Sequence, residues 1–490
     1  MTKPTRFAAA FAAQVRRDPA APALLWRDRE IGYGELAALA AHQGRLLSQI
    51  KARPAEPLGI LAPKSPEAVA LVLACLLIGQ RFLLPSPSLA PDQLDQLFAQ
   101  AGCTTVLRES DIAVPTSPRP TTDIAVADVA LEETAFMLTT SGSTGLPKIV
   151  PLTHRALDRF VAWAGPAFGT RSGSTVLSYA PLNFDLCLLD IWTTLAHGGR
   201  VLLVDTTLAV RGRYLLDLLR RNRPDVIQAV PMFFGLVLDA ARADGGGPLN
   251  GVRHLMVTGD VAGEQILDGL PALFPGAQLT NIYGCTETND SFVYEAPPGP
   301  PPHPLPIGRP LPDVHVLVTG ADGRTLDGPG TGELYVSTPF QTPGYLDAAR
   351  NVGRFVVYPG SAGDRVWFRT GDLVHRAPNG EYTLVGRTDF QFKVRGVAVN
   401  TAEVETVLMA HPEVVEAAVT AEPDPVQGSR LVATVRRTPG NALSSLVLRR
   451  HCAQRLPQAA VPTELRIVEA PLPRTATGKI DRIAATSTTS

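Results

Sequence analysis

The sequence predicts an α/β chain in two parts: a large N-terminal lobe of mixed β-sheets and helices, ending in a β-barrel-like run of short strands, then a small α+β C-terminal domain. Three observations predict it. Short apolar runs alternate with helix-period segments as far as about residue 260, a proline-rich stretch at 297–312 breaks that alternation, and helical periodicity returns near residue 390 after several strand-like runs. At 490 residues the chain exceeds the roughly 250–300 at which one core stops growing, so two or more domains are expected.

The elements follow in order. MTKPTRFAAAFAAQVRRDP mixes basic residues and alanines and is broken by Gln14, Arg16, Arg17 and Asp18, which reads as an amphipathic helix and not a signal peptide. LAALAAHQGRLLSQI (36–50) repeats apolar positions every three or four, a helix. PLGILAP (57–63) and RFLLP (81–85) flank the helical EAVALVLACLLIG, a strand–helix–strand unit. The theme recurs in TVLSYAPL, LCLLDIWTTLAHGG and RVLLVD (175–205), then in YLLDLLRRNRPDVIQAVP and GVRHLMVTGD. Such alternation points to a parallel or mixed sheet covered by helices. PPGPPPHPLPIGRPLP (297–312) holds nine prolines and cannot be a helix or a central strand. After it HVLVT, GELYVS, RVWFRTGDLV and EYTLVGR read as short strands. From about 390 come helix-like TAEVETVLMAH, strand-like EAAVTAE and RLVATVRR, helical LSSLVLRRHCAQRL and a Thr/Ser-rich tail.

Composition excludes several classes. With 45 basic and 46 acidic residues the net charge is −1, which gives no basic surplus for nucleic acid or an anionic membrane. The longest uncharged apolar run, Ala68 to Ile78, is about half of the ~20 residues a membrane span needs. Five cysteines, odd in number and without a C-x-x-C, indicate neither a disulfide framework nor a zinc site. The expected setting is a reducing cytoplasm.

LTTSGSTGLPK (138–148) is the first stretch that suggests chemistry. It is not the G-x-x-x-x-G-K-[ST] phosphate loop: Gly142 and Gly145 are three apart, Pro147 precedes Lys148, and Ile149 follows. Its glycines, hydroxyls and lysine still suit phosphate oxygens. The alternative reading of the stretch taken alone is a flexible surface loop.

Seven stretches in one order resemble the adenylate-forming superfamily of acyl-CoA synthetases, luciferases and adenylation domains of nonribosomal peptide synthesis. They are LTTSGSTGLPKIVPLTH, LNFDLCLLDIW, NIYGCTETND, GELYVS, FRTGDLV, GRTDFQFKVRGVAVNTAEVE and PRTATGKIDR. The resemblance implies attack of a carboxylate on the α-phosphorus of ATP, giving an acyl-adenylate and pyrophosphate. Catalysis of that kind is mainly positioning and charge stabilisation. It implies that Thr139, Thr140, Ser141, Gly142, Ser143, Thr144, Gly145 and Lys148 form the loop over the β- and γ-phosphates. Tyr283 would stack on adenine, near Gly259, and Thr286 would contact phosphate. Glu287 would ligate Mg²⁺, a hard cation that keeps waters and substrate phosphates as its other partners. Asp372 and Arg387 match ribose contacts, their bland alternative being a salt bridge with each other. Lys479 would reach the substrate carboxylate and α-phosphate, so Thr286, Glu287 and Lys479 form the expected catalytic set. The implied domains are 1–388 and 389–490, with a hinge at Asp389 about which a mobile cap rotates. Lys393 to Gly396 would then face the thiol of a phosphopantetheine arm.

Asp185 matches the position with which amino-acid-activating members bind the substrate ammonium, a cation that needs an anionic partner in an apolar pocket. It also suits a helix N-cap. The implied pocket walls are Leu186, Leu189, Thr258, Ile282, Asp290 and Ser291. The two leucines suggest a small apolar side chain, and Asp-Leu-Leu with YGCTETND resembles the free-standing prolyl-AMP ligases that load a carrier protein. L-Proline is therefore the expected acid, and a separate holo peptidyl carrier protein the expected partner. Asp290 fits an apolar proline pocket poorly; it points away or favours a diamino or β-amino acid. A CoA ligase for a non-amino carboxylic acid is the rival enzyme. Thr258-Gly259-Asp260 replaces the usual G-G-E, IGQRFLLPSPSL lacks the usual K-A-G and aspartate, and CTE replaces PTE.

Overall fold

The computed structural model describes residues 2–112, 118–140, 146–245, 247–357, 365–388, 391–394, 397–424, 428–456, 458–475 and 479–487. By contacts the chain divides into two compact units. The first is Met1–Pro302, Pro310–His315 and Val336–Phe368; the second is His303–Arg309, Val316–Tyr335 and Arg369–Ser490. Segments before the expected boundary at 389, including the FRTGDLV strand from Arg369 onward, thus belong with the C-terminal residues.

Two larger sheets, besides the short pair Thr2–Lys3 with Val129–Ala130, build the first unit among the described residues. In the larger, strands Pro22–Trp26, Arg200–Leu203, Thr175–Ser178, Val226–Ala229, His254–Thr258 and Gln278–Cys285 lie side by side in that order, all parallel. Strand Asn289–Glu295 returns antiparallel to Gln278–Cys285. In the smaller, Thr105–Arg108, Leu58–Leu61, Phe82–Leu84 and Thr134–Thr140 are parallel, and Lys148–Thr153 turns back antiparallel. These strands read as continuous apolar runs because helices cover parallel sheets on both faces. Helix Pro66–Ile78 is buried along nearly its whole length, which explains why PEAVALVLACLLI shows no polar stripe. It starts on a Ser65 side-chain cap with Pro66 at the first helical position and ends on Gly79 at φ 72°, a left-handed C-cap. The N-terminal helix Arg6–Arg17 is amphipathic as predicted and docks through Asp158, whose carboxylate accepts the Arg6 and Phe7 amides at 2.8 and 3.0 Å.

The second unit holds short strands and a three-stranded α+β element. Within it Asp372 to Arg376 pair antiparallel with Tyr382–Arg387. Strand Val414–Asp424 pairs antiparallel with Gly428–Arg437, which runs parallel to Glu464–Val468. Helix Thr401–Met409 packs Val404 and Leu408 into a core with Val419, Leu431, Val435 and Leu448. The Thr/Ser-rich tail contains a further helix, Arg482–Ser487, which the sequence pattern did not indicate.

Candidate active site

The candidate residues of the first unit gather at the carboxyl ends of parallel strands, where open α/β sheets bind their ligands. Thr139 and Thr140 end strand Thr134–Thr140, Thr258 and Gly259 end His254–Thr258, and Tyr283 lies near the end of Gln278–Cys285. Asp185 follows Thr175–Ser178 by one loop. Gly284 is where the signature stretch YGCTETND needs glycine: a Cβ there would stand 2.2 Å from the Asn289 carbonyl oxygen. Asn289 itself takes the left-handed region at φ 52°, which Asn tolerates. The tight return thus places Thr286 and Glu287 between two paired strands.

Register assembles the phosphate-loop candidates. Thr140 pairs with Lys148 across the hairpin, and the Thr140 hydroxyl is covered without a hydrogen-bond partner. The Lys148 ammonium lies 4.8 Å from the centroid of the Tyr345 ring and 3.4 Å from its hydroxyl. Tyr345 in turn donates to Glu287 Oε1 at 2.6 Å. Burial beside Glu287 pushes the Tyr345 phenol well above its ordinary range, so it remains a donor. Ser141, Gly142, Ser143, Thr144 and Gly145 lie outside the described residues. Tyr283 is half-buried, its ring edge-on to Phe292 at 5.7 Å.

The pocket candidates are partly buried. Leu189, Ile282, Thr258 and Ser291 are buried, while Asp185, Leu186 and Asp290 are half-covered. Asp185 is not the residue that caps the following helix; a π-helical turn, Leu188–Thr193, begins after Cys187. Such turns concentrate at functional sites. Ser291 directs its hydroxyl into the return loop, donating to Thr288 Oγ1 and the Asn289 carbonyl, both at 3.1 Å. Asp290 has its Oδ2 covered and without a partner. Burial, with Asp185 nearby, pushes its carboxyl up to about 8.

Three residues of this region escaped the sequence reading: Tyr345, Lys64 and Asp190. Lys64 is buried, and its ammonium donates to the carbonyls of Ser178, Tyr179 and Ala180 at 2.5, 3.2 and 2.8 Å, capping the end of a central strand. Burial lowers it to about 8. Asp190 is fully buried with neither carboxyl oxygen hydrogen-bonded, and burial raises it well above the usual carboxylate range. The available signal was a lone charge in an otherwise apolar run, LCLLDIW.

In the second unit Arg387 donates to Asp372 Oδ1 at 2.6 Å, so the bland salt-bridge reading of this pair describes the geometry present. Register sets the two opposite each other on paired strands. Lys479 is exposed, and its carbonyl accepts from the Thr475 amide beside the antiparallel bridge between Arg474 and Ile480. Lys393 lies on strand Gln391–Val394; Asp389 and Gly396 lie outside the described residues. Among the described residues no group of three or more His, Cys, Asp or Glu could hold a metal. A single carboxylate, Glu287, nevertheless suits Mg²⁺ shared with substrate phosphates. A cavity of about 750 Å³ in the first unit, lined by Arg155, Arg159, Trp163 and Phe340, includes none of the candidate residues.

The AMP-binding enzyme family model matches residues 11–346, and its C-terminal domain model matches 403–479. The chain belongs to this adenylate-forming family. An L-proline–[L-prolyl-carrier protein] ligase of Pseudomonas fluorescens is 34% identical over 359 residues, covering 72% of this chain and 68% of that protein. Surfactin synthase subunit 1 of Bacillus subtilis is 28% identical over 484 residues, 94% of this chain but 13% of that protein. The fold matches ATP-bound MatB of Rhodopseudomonas palustris with a TM-score of 0.82 over 98% of each chain, at 22% identity. This adenylate-forming enzyme therefore has the expected fold. Among its described residues no helix is long and apolar enough to cross a membrane.

Proposed function

We propose that the enzyme activates an amino acid as its aminoacyl-AMP, releasing pyrophosphate, and passes it to the phosphopantetheine thiol of a carrier protein. One observation carries the reading: Asp185 lies half-buried one loop beyond the carboxyl end of a central parallel strand and close enough to Asp290 to raise its carboxyl, where a substrate ammonium needs an anion. The substrate carboxylate attacks the α-phosphorus, and the bond to the bridging oxygen of pyrophosphate breaks. Thr139, Thr140 and Lys148 hold the departing phosphates, with Ser141 to Gly145 completing the loop. Tyr283 stacks on adenine beside Gly259, and Thr286 contacts phosphate. Glu287, oriented by Tyr345, would hold Mg²⁺, which when bound would supply positive charge to the phosphates. Asp372 and Arg387 exchange their mutual bond for ribose hydroxyls, and Lys479 brings a cation to the α-phosphate. Asp389 acts as the hinge for thioester formation, with Lys393 and Gly396 near the incoming arm.

The proline-loading relative supports both L-proline and a carrier-protein acceptor. Asp290 is the pocket feature that proline leaves unmatched. ATP–pyrophosphate exchange across amino, aryl and fatty acids tests the reading: amino acids should support exchange. Exchange with aryl or fatty acids alone, followed by thioester formation on free CoA, would contradict it.

A further inference from the structure

We infer that the acid activated here is a small diamino acid whose side-chain ammonium is held by Asp290. The inference rests on the amino-acid activation proposed above, and it replaces L-proline as the substrate.

The pocket holds more carboxyl groups than one ammonium satisfies. Asp185 meets the α-ammonium. Asp290 stands opposite Gly284 in the return strand, with Oδ2 covered and unpartnered among the described residues. Asp190 is fully buried, and both its oxygens lack a hydrogen bond. The three carboxyls interact: Asp185 raises Asp290, and Asp290 raises Asp190. The nearby protein cation that acts on Asp190 is Lys64, and its donors are taken by three backbone carbonyls. The Ser291 hydroxyl is likewise turned into its own loop. A monoamino acid leaves the covered Asp290 oxygen without a donor, and a buried polar group left unpaired is costly. A second substrate ammonium supplies that donor and favours the ionised form of the carboxyl. Leu186, Leu189 and Ile282 keep the side chain short.

Proline offers Asp290 no donor. A site built to bind a substrate N–H rejects analogues that lack it, because its own polar group is left unpaired. The side-chain ammonium takes no part in the chemistry; it sets which acid is accepted.

The test is ATP–pyrophosphate exchange by the full chain with near-isosteric acids. L-2,3-Diaminopropionate and L-2,4-diaminobutyrate are compared with L-2-aminobutyrate, L-serine, β-alanine and L-proline. The expected result is a kcat/KM for a diamino acid roughly tenfold or more above the others. Asp290→Asn should abolish that preference, bringing kcat/KM for the diamino acid down to the level of L-2-aminobutyrate in the same variant. Proline, aminobutyrate or β-alanine matching the diamino acids would overturn the inference and leave amino-acid activation standing. A preference for serine would overturn it by showing a neutral donor to be sufficient. Exchange with no amino acid at all would instead remove the underlying reading. The wild-type comparison decides the matter even if the variant fails to fold.

Discussion

Glu287 is oriented by a phenol that no motif contains. Tyr345 bonds its carboxylate at 2.6 Å and also lies under the Lys148 ammonium. Tyr345→Phe removes that bond and little volume. Loss of such an orienting partner costs roughly 10–100-fold in metal affinity. The Mg²⁺ concentration for half-maximal exchange should rise by about tenfold, and an unchanged midpoint would refute the role. Lys479→Ala should reduce adenylation by orders of magnitude yet spare transfer from a preformed adenylate; wild-type exchange would contradict this. Asp290 makes a pH prediction. Its carboxyl titrates near 8 in the folded chain against an ordinary value of 3.8. Between those values the folded chain holds a proton that the unfolded chain has released, so this group's contribution to stability falls as pH rises from about 4 to 8. The melting-temperature gain of Asp290→Asn over wild type should be small at pH 5 and largest at pH 8 and above. A gain equal at every pH would contradict the assignment.

At the scale of elements, two buried glutamates anchor the segment that carries Lys479. Glu416 accepts the Leu472 amide at 2.9 Å and pairs with Arg474, while Glu405 holds Arg482 through two bonds of 2.6 Å. The hairpin between them is fixed to strand Val414–Asp424 and helix Thr401–Met409. Glu416→Ala should lower the kcat of exchange by about tenfold or more through misplacement of Lys479, with little change in KM for ATP. A changed KM with normal kcat would show that the anchor serves something else. The regular elements were legible because buried parallel strands read as apolar runs and amphipathic helices as 3.6-residue periods. The π-helical turn at Leu188–Thr193 was not legible, since an apolar run carries no mark of the extra residue. Helix Arg482–Ser487 was hidden by its Thr/Ser content, and it is held by the Glu405–Arg482 pair that no local pattern shows.

At the scale of the whole molecule, the motifs were legible where a strand end or a tight return demands particular residues, as at Thr140 and Gly284. What they missed came from distant segments: Lys64 reaches carbonyls more than a hundred residues away, and Tyr345 reaches Glu287 across 58. The second unit also includes residues before 389, because strands within 316–335 share a sheet with the strand that contains 369–376. The central claim is that an anion at position 185 selects an amino acid, and the most direct measurement is ATP–pyrophosphate exchange with amino acids against their des-amino counterparts, in wild type and in Asp185→Ala. The account predicts exchange with amino acids alone in the wild type, and its loss by roughly a hundredfold or more in the variant. Equal exchange with the des-amino acids, or an Asp185→Ala enzyme as active as wild type on amino acids, would contradict it.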